Sequence, residues 1–403
     1  MWPAPAKNGG PDGSAFFFGV SMADFVFRIS PNVILGPHTL ARLAQVASSW
    51  GTKYLLIADP FLKEFDLVEK AVASLEEKGI SAIVFDDIPS APTSETLEQS
   101  LSLARGAHVH GVISLGGLKT AALGRALASL YNETHDVYDF LAGAQPFSGS
   151  LPFIEVPSTC RDPFVFMDRT PVVDARNRQI RLMKIQNGVC KAVVIDPNLY
   201  MNMSPNTAVS MIFHAIVLAV EGYVSTRSNF FSETMLGKAI ELLLLALDPE
   251  QSKLVGTPSE MLVAQGGCMA SMGVAVSSPG VATAISLACN ARYKTSSSLV
   301  CSVLLPYIME DAARAKVDKI VTIGKMLGVS GAGLNSSEIA RAAIDDIRRR
   351  LALAGLPTRL KDLELTIDQL VPVAEDAAAL DLMNYIPRAM SSDELFDLVK
   401  QAY

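Results

Sequence analysis

The segment V-I-S-L-G-G-L-K-T, residues 112–120, decides the fold class of this chain. Its apolar run over residues 112–115 is typical of a buried parallel strand, and Gly116-Gly117 joins that strand to a helix predicted over residues 120–131. Further strands are predicted over residues 25–29, 33–35, 54–58, 81–85 and 153–156, and helices over residues 40–50, 68–78 and 94–105. This alternation predicts a doubly wound parallel sheet.

The second half of the chain shows helical patterns throughout. Helices are predicted over residues 208–224, 232–247, 259–276, 281–291, 299–315, 317–327, 336–354, 366–380 and 392–402, with starts marked by Ser232, Ser259, Ser336 and Ser392. We therefore expect an α/β, Rossmann-like domain over residues 22–202 and an all-α domain over residues 203–403. Residues 1–21, rich in Gly, Pro and Ala, are predicted to be a disordered extension.

Composition excludes several classes of protein. The chain has 403 residues and a net charge of −7 without a basic block, which argues against nucleic acid or an anionic membrane as partner. Its most apolar run, residues 208–220, is interrupted by Ser210 and His214 and is shorter than the roughly 20 residues that a bilayer requires. Five widely spaced cysteines, none in a C-x-x-C pair, suggest reduced thiols and a cytoplasmic location.

Candidate binding residues collect at the predicted carboxyl ends of the strands, where such sheets bind their ligands. They are Asp59, Gly116, Gly117, Lys119, Ser158 and Thr159. A glycine turn that leads into a helix offers free N–H groups to a pyrophosphate, and Lys119 would add a cation. Each candidate also has a structural alternative: the glycines make a tight turn, Asp59 starts a turn before Pro60, and the hydroxyls form a local turn.

The predicted helix over residues 209–225 carries two ionisable side chains in apolar surroundings. His214 and Glu221 are seven residues apart, so they lie on nearly the same face of the helix. Buried ionisable groups are unfavourable unless they are paired or used in chemistry. His214 is therefore either a functional residue or a neutral core histidine that is hydrogen-bonded to Glu221 or to a hydroxyl.

Several longer motifs follow one another in a known order. They are L-L-I-A-D-P at residues 55–60, S-L-G-G at 114–117, V-P-S-T at 156–159, V-V-I-D-P-N-L at 193–199, V-E-G-Y-V-S at 220–225, V-L-L-P at 303–306, G-L-P-T-R-L-K-D-L at 355–363 and Y-I-P-R at 385–388. In these motifs the chain resembles the iron-containing (group III) alcohol dehydrogenases of the dehydroquinate synthase-like superfamily. The resemblance implies NAD or NADP as cofactor, a catalytic metal between two domains, and a homodimer or larger homo-oligomer.

The functional motifs depart from the family pattern. The family's G-G-G-S-x-x-D-x-A-K is here G-G-L-K-T-A-A-L-G-R from residue 116, and its T-T-A-G-T-G-S-E is here S-T-C-R-D-P-F-V from residue 158. Bulky side chains in place of glycine should obstruct the contact between backbone and pyrophosphate. Lys119 and Arg161 leave open the binding of another anionic ligand.

The family's metal ligands are also replaced. Aligned to this chain, the Asp and His on one helix fall on His214 and Leu218, or in an alternative alignment on Ser210 and His214, and the two later histidines fall on Thr283 and Ser297. A catalytic metal site generally has about three protein ligands, so a single imidazole is too few. We therefore expect no metal here.

These observations predict a metal-independent, NAD(P)-linked oxidoreductase that reduces a carbonyl or oxidises an alcohol of a small molecule in the interdomain cleft. His214 would act as general acid on the carbonyl oxygen, helped by Thr283 and Ser297. Two alternatives remain open. One is a non-catalytic member that binds a small molecule or serves as a partner subunit, and the other is a different reaction on an anionic substrate held by Lys119 and Arg161.

Overall fold

The computed structural model describes residues 30–329 and 331–403. The strand predicted over residues 25–29 and the extension predicted over residues 1–21 lie outside these described residues. The α/β part of the described chain ends with the 3-10 helix Pro197–Asn202, and the helical part begins at Pro205. The predicted fold class, an α/β domain followed by an all-α domain, is confirmed.

The described residues contain eight strands, of which six are parallel and form the main sheet, and two form a separate hairpin. The strands in chain order are β1 (Asn32–Leu35), β2 (Lys53–Ala58), β3 (Ser81–Phe85), β4 (Gly111–Gly116), β5 (Phe153–Pro157), β6 (Arg169–Asp174), β7 (Gln179–Lys184) and β8 (Cys190–Ile195). The sheet order is β1-β8-β5-β4-β2-β3, and β4 and β5 are buried along their whole length. Ala58 pairs with Leu115 and Gly116 with Pro157, so the loops after β2, β4 and β5 leave the same edge of the sheet.

Five helices accompany this sheet. They are α1 (Leu43–Ala47), α2 (Leu67–Glu76), α3 (Ser94–Ala107), α4 (Leu118–Leu130) and α5 (Val137–Leu141). The helix α4 starts immediately after its N-cap Gly117, two residues before the predicted start at residue 120. The helix predicted over residues 40–50 is instead a 3-10 turn, Thr39–Arg42, followed by the short α1. The start of α4 therefore lies at the sheet edge where β4 ends.

The sequence analysis did not predict the antiparallel hairpin of β6 and β7. β6 contains Pro171, which removes a ladder donor and weakens the strand pattern. The alternating run Q-I-R-L-M-K of β7 is the signal that was available in the sequence. Pro171 and Ile180 of this hairpin line the cavity described below, so the omission concerns the site as well as the fold.

Nine helices build the rest of the described chain. They are α6 (Pro205–Val224), α7 (Phe230–Ala246), α8 (Pro249–Val255), α9 (Ser259–Val276), α10 (Val281–Tyr293), α11 (Ser297–Met326), α12 (Ser336–Leu353), α13 (Ile367–Ala378) and α14 (Ser392–Gln401). The two helices predicted over residues 299–315 and 317–327 are one element, α11, with non-helical backbone at Lys316 (φ −141°, ψ 54°). The predicted break therefore falls at a kink within that helix.

Three of the four marked helix starts are confirmed. The helices α9, α12 and α14 begin at Ser259, Ser336 and Ser392, whereas α7 begins at Phe230, two residues before Ser232. The N-caps of α7, α12 and α14 are Asn229, Asn335 and Ser391, and each side chain accepts an N–H of the first turn. The helix α9 follows Pro258 and has no side-chain cap.

The helix α6 runs through the centre of the helical part. It has 20 residues and is apolar enough to cross a membrane by length and composition, but 83% of its apolar window is buried inside the protein. The bent pair α9 and α10, which meet at 103°, passes the same test only when taken together. The expectation that the central apolar segment is too short to span a bilayer was therefore wrong, and burial is what identifies α6 as a core helix.

Candidate functional site

A cavity of about 440 Å³ lies between the sheet edge and the helical part. This volume is within the range of about 300–1,000 Å³ that is usual for small-molecule sites. Among the predicted site residues, the cavity is lined by Asp59, Gly117, Lys119, Ser158, Thr159 and Ser297. The other three, Gly116, His214 and Thr283, do not line it. The structure therefore brings the predicted cofactor residues together with one of the predicted catalytic residues.

The turn between β4 and α4 has the features of an anion site. Gly116 has a φ of +152°, and a Cβ there would lie 2.8 Å from Thr120 Oγ1 and 2.9 Å from Asp59 Cβ, so a side chain is excluded. The first N–H groups of α4 have no partner within the helix and lie at the positive end of its dipole. The buried hydroxyl of Thr159, on the same cavity wall, has no partner among the described residues. These groups fit a phosphate.

Two charged residues on this wall are paired with each other. Lys119 Nζ lies 3.3 Å from Asp59 Oδ1, with the two side chains 25% and 22% exposed. Asp59 also accepts the N–H of Phe61 and so caps the 3-10 helix Pro60–Phe65. Because Asp59 has these two partners, its turn-forming role is present in the structure, and its binding of a ribose stays a prediction.

His214 is buried, with 2% of its surface exposed, and lies behind Arg161 as seen from the cavity. Its Nδ1 is 3.4 Å from Arg161 Nη1 and 3.5 Å from Ser298 Oγ. Burial, with the charge of Arg161, holds the pKa of His214 well below its usual value. The imidazole is therefore neutral at neutral pH, and the general-acid role of His214 stays a prediction that the geometry does not favour.

Glu221 is not a partner of His214. Its carboxylate accepts the N–H groups of Gly280 (2.9 Å), Ala282 (2.6 Å) and Thr283 (3.2 Å) at the start of α10, and the hydroxyl of Thr283 at 2.6 Å. Burial outweighs these hydrogen bonds and raises the pKa of Glu221. Of the two partners considered for a neutral His214, Glu221 is therefore excluded, because the N-terminus of α10 binds this carboxylate, and a hydroxyl, that of Ser298, lies near the ring instead. Thr283 is held there as well.

Arg161 connects His214 with the cavity. Its side chain is partly buried and lines the cavity wall, and its buried Nε has no hydrogen-bond partner among the described residues. The adjacent carboxylate of Asp162 is paired with Arg125 instead. Burial lowers the pKa of Arg161, yet a guanidinium remains charged in proteins. The sequence analysis noted Arg161 as a cation, but its lack of a counter-ion becomes visible only in the structure.

The positions that correspond to the family's metal ligands do not fit a metal ion. Leu218 is buried and apolar, Thr283 is bonded to Glu221, and His214 faces a guanidinium. Across residues 30–329 and 331–403, no group of three or more His, Cys, Asp or Glu side chains could hold a metal ion. A guanidinium next to an imidazole would also repel a second cation. These residues do not form a site for iron or zinc.

A buried ionic cluster fixes the loop that carries Arg161. Arg125, on α4 and 1% exposed, is paired with Asp162 and lies 3.3 Å from Glu155 of β5. Across the domain boundary, the carbonyl of Asp162 accepts the Ser271 hydroxyl of α9 at 2.7 Å. This cluster was not predicted, although an arginine in a largely apolar helix was a visible signal in the sequence. The cluster anchors the loop on both domains and so fixes the position of Arg161.

Glu155 should make stability depend on pH. Burial and the nearby Asp162 charge raise its pKa to about 7, against the opposing effect of Arg125. A raised carboxyl pKa stabilises the fold fully at pH below the unfolded value, and this contribution is lost as pH rises through about 7. We expect the free energy of unfolding to fall between about pH 5 and pH 9 by up to about 1.4 kcal/mol for each unit of pKa shift.

The matched variant Glu155→Gln cannot titrate, so its denaturant unfolding should show a flatter pH profile over the same range. Parallel profiles for the two proteins would show that Glu155 does not carry this dependence.

Comparisons with known proteins agree with the fold. Residues 30–197 match the family model of iron-containing alcohol dehydrogenases, and residues 206–403 match the model of the C-terminal part of the same family. Together the two models span nearly the whole described chain. The chain therefore belongs to the iron-containing alcohol dehydrogenase family, and the resemblance seen in its motifs is confirmed.

Its relatives are distant. The chain is 24% identical to 1,3-propanediol dehydrogenase of Citrobacter freundii over 380 residues, which cover 93% of this chain and 97% of the relative. It is 22% identical to lactaldehyde reductase of Escherichia coli K12, with 87% and 92% covered. A solved 1,3-propanediol oxidoreductase structure superposes with a TM-score of 0.86 at 21% identity, covering 94% of this chain and 100% of the other. At this identity the structural likeness shows the fold alone.

Proposed function

We propose that this protein is a metal-independent, NAD(P)-linked oxidoreductase that interconverts a carbonyl compound and an alcohol in the cavity between its two domains. The observation that carries this proposal is the lining of that cavity. Groups suited to phosphate at the sheet edge share one space with apolar and hydroxyl side chains of the helical part. Family membership supports the reaction class, since relatives include 1,3-propanediol dehydrogenase and lactaldehyde reductase.

The sheet edge is the proposed place of the cofactor phosphates. The first turn of α4 offers its free N–H groups, and the hydroxyls of Ser158 and Thr159 lie on the same wall. Lys119 would add positive charge once a phosphate competes with Asp59 for it. When bound, the nicotinamide supplies a hydride to a carbonyl carbon or accepts one from an alcohol. Apolar side chains such as Met211 and Leu287 exclude water from the facing wall.

Ser297 is the proposed contact of the substrate oxygen. Of the predicted catalytic residues it is the one that lines the cavity, and its hydroxyl makes only a long hydrogen bond, 3.4 Å, to the Ser286 carbonyl. A donor placed there stabilises the negative charge that develops on oxygen when the carbon accepts a hydride. His214, which contacts Arg161, would act as a positioning residue. Thr283, which is hydrogen-bonded to Glu221, would act in the same way.

The alternative of a non-catalytic or repurposed member is favoured by a different observation. Leu118 and Lys119 occupy the cavity wall where the family pattern has glycine and serine, and Lys119 is paired with Asp59. In such a protein the cavity would bind a small molecule without hydride transfer.

Turnover by metal-depleted protein tests the proposal. The protein is purified with a chelator, its metal content is measured, and the absorbance of NADH or NADPH is followed with a panel of aldehydes and ketones. We expect turnover in the metal-free sample that added Fe²⁺ or Zn²⁺ does not increase. Activity that appears only after metal is added would refute metal independence. No turnover with any carbonyl compound would favour the non-catalytic alternative.

A further inference from the structure

The cavity contains a positive charge that has no counter-ion in the described part of the chain. The charged residues that line the cavity are Asp59, Lys119 and Arg161. Asp59 and Lys119 neutralise each other at 3.3 Å. The cavity is therefore left with the guanidinium of Arg161 as its uncompensated charge, beside hydroxyl and apolar side chains.

No described carboxylate forms an ion pair with Arg161, although the charge of Asp162 acts on it from a distance. Asp162, its chain neighbour, is bound to Arg125 and also accepts the N–H of Phe164 at 2.7 Å. On the other side, Arg161 Nη1 faces His214 Nδ1 at 3.4 Å. A guanidinium can only donate, so this nitrogen of His214 accepts and the imidazole carries its proton on Nε2. The neutral His214 orients Arg161 without cancelling its charge.

An unpaired cation in a protein interior is unfavourable unless a ligand of opposite charge binds to it. Arg161 has an Nε without a partner, and its side chain borders the cavity. The loop that carries Arg161 is held on both sides. On one side α9 packs so closely that a Cβ at Gly267 would overlap the carbonyl of Cys160. On the other side Asp162 is paired with Arg125. A fixed guanidinium with spare donors is the group that binds carboxylates most effectively.

We propose that Arg161 binds a carboxylate of the substrate, so that the carbonyl compound or alcohol is itself a small carboxylic acid. The reaction part of this statement rests on the proposed function. A carboxylate carries one negative charge and so balances the single charge of the Arg161 guanidinium, which lines the cavity. Ser297, on the wall of the same cavity, can then hold the reacting oxygen.

Calorimetric titration of the full chain tests this assignment. The probes are pyruvate, 2-oxobutyrate, levulinate and hexanoate, each compared with its neutral amide and with inorganic phosphate, in the absence and presence of NADH or NADPH. We expect at least one carboxylate to bind more tightly than its amide and, with NADH or NADPH bound, more tightly than phosphate. Equal binding of acid and amide throughout the series, no binding of any acid, or tighter binding of phosphate to the cofactor-bound protein would overturn the proposal.

Variants locate the binding to Arg161. Arg161→Met should weaken binding of the preferred acid by about tenfold or more, while Arg161→Lys should retain part of the affinity. The control Arg314→Met removes an arginine that is 65% exposed and should leave affinity unchanged. Unchanged affinity in Arg161→Met, with the melting temperature showing that it is folded, would also overturn the proposal.

The two proposals fail in different ways. If the protein binds NADH or NADPH but no acid, the carboxylate assignment is wrong and the oxidoreductase proposal stands. If an acid binds through Arg161 but neither cofactor binds, the oxidoreductase proposal is wrong and the anion site stands.

Discussion

Replacing Arg125 by methionine should lower the free energy of unfolding by about 3–5 kcal/mol. Arg125 is 1% exposed, and its removal would leave the carboxylates of Glu155 and Asp162 buried without a cation. Buried charges without a partner are far more unfavourable than the pair they formed. Denaturant unfolding of wild type and variant measures the difference, and the loop with Arg161 should lose its anchor as well.

Two further variants make the Arg125 prediction specific. The pKa of Glu155, already about 7 beside Arg125, should rise further without that cation, so adding Glu155→Gln to Arg125→Met should recover part of the loss at pH above that pKa. Arg349→Met removes an arginine that is paired with Asp346 but 61% exposed, and exposed pairs contribute only about 0–1 kcal/mol. An equal, small effect of Arg125→Met and Arg349→Met would contradict the importance of the buried cluster.

Glu221→Ala is expected to be comparably severe. It would remove the acceptor of three backbone N–H groups at the start of α10 and of the Thr283 hydroxyl. Each buried donor left without a partner costs about 1–3 kcal/mol, so several kcal/mol should be lost. The matched control Glu241→Ala acts on a carboxylate of α7 that is 47% exposed and paired with Lys238, and it should change stability little.

Thr283→Val tests the hydroxyl hydrogen bond to Glu221 separately from the backbone hydrogen bonds to the same carboxylate. It keeps the backbone contacts and loses one hydroxyl hydrogen bond, so it should destabilise by about 1–3 kcal/mol, less than Glu221→Ala. If Glu221→Ala unfolds at the same denaturant concentration as wild type, Glu221 does not hold the start of α10.

Five of the six parallel strands in the described main sheet could be predicted because they are apolar runs that end in glycine or polar residues, a pattern that reflects burial on both faces. The remaining strand, β8, was not predicted. Most of the marked helix starts could be predicted as well, and the exception, α7, lies where small polar residues occur in a group. Asn229 and Ser232 cap each other's backbone at the start of α7, and the sequence does not show which of them is the N-cap. The hairpin of β6 and β7 was missed because Pro171 weakens the strand pattern of β6.

The candidate site could be predicted where it depends on strand ends, and less well where it depends on contacts between distant segments. Parallel strands bring Asp59, Gly117 and Ser158 to one edge of the sheet, so their proximity could be predicted from the alternation of strands and helices along the chain. The surroundings of His214 could not be predicted in this way. Helix periodicity places His214 near Glu221 but does not show that the start of α10 is hydrogen-bonded to Glu221. The missing counter-ion of Arg161 depends likewise on Asp162 being bound to Arg125.

Binding of the nicotinamide cofactor to metal-free protein tests the central claim most directly. Chelator-treated protein is titrated with NADH and with NADPH while nicotinamide fluorescence is followed, and the metal content of the same sample is measured. The proposed function predicts saturable binding of at least one cofactor with no stoichiometric metal. Failure of both cofactors to bind would contradict it.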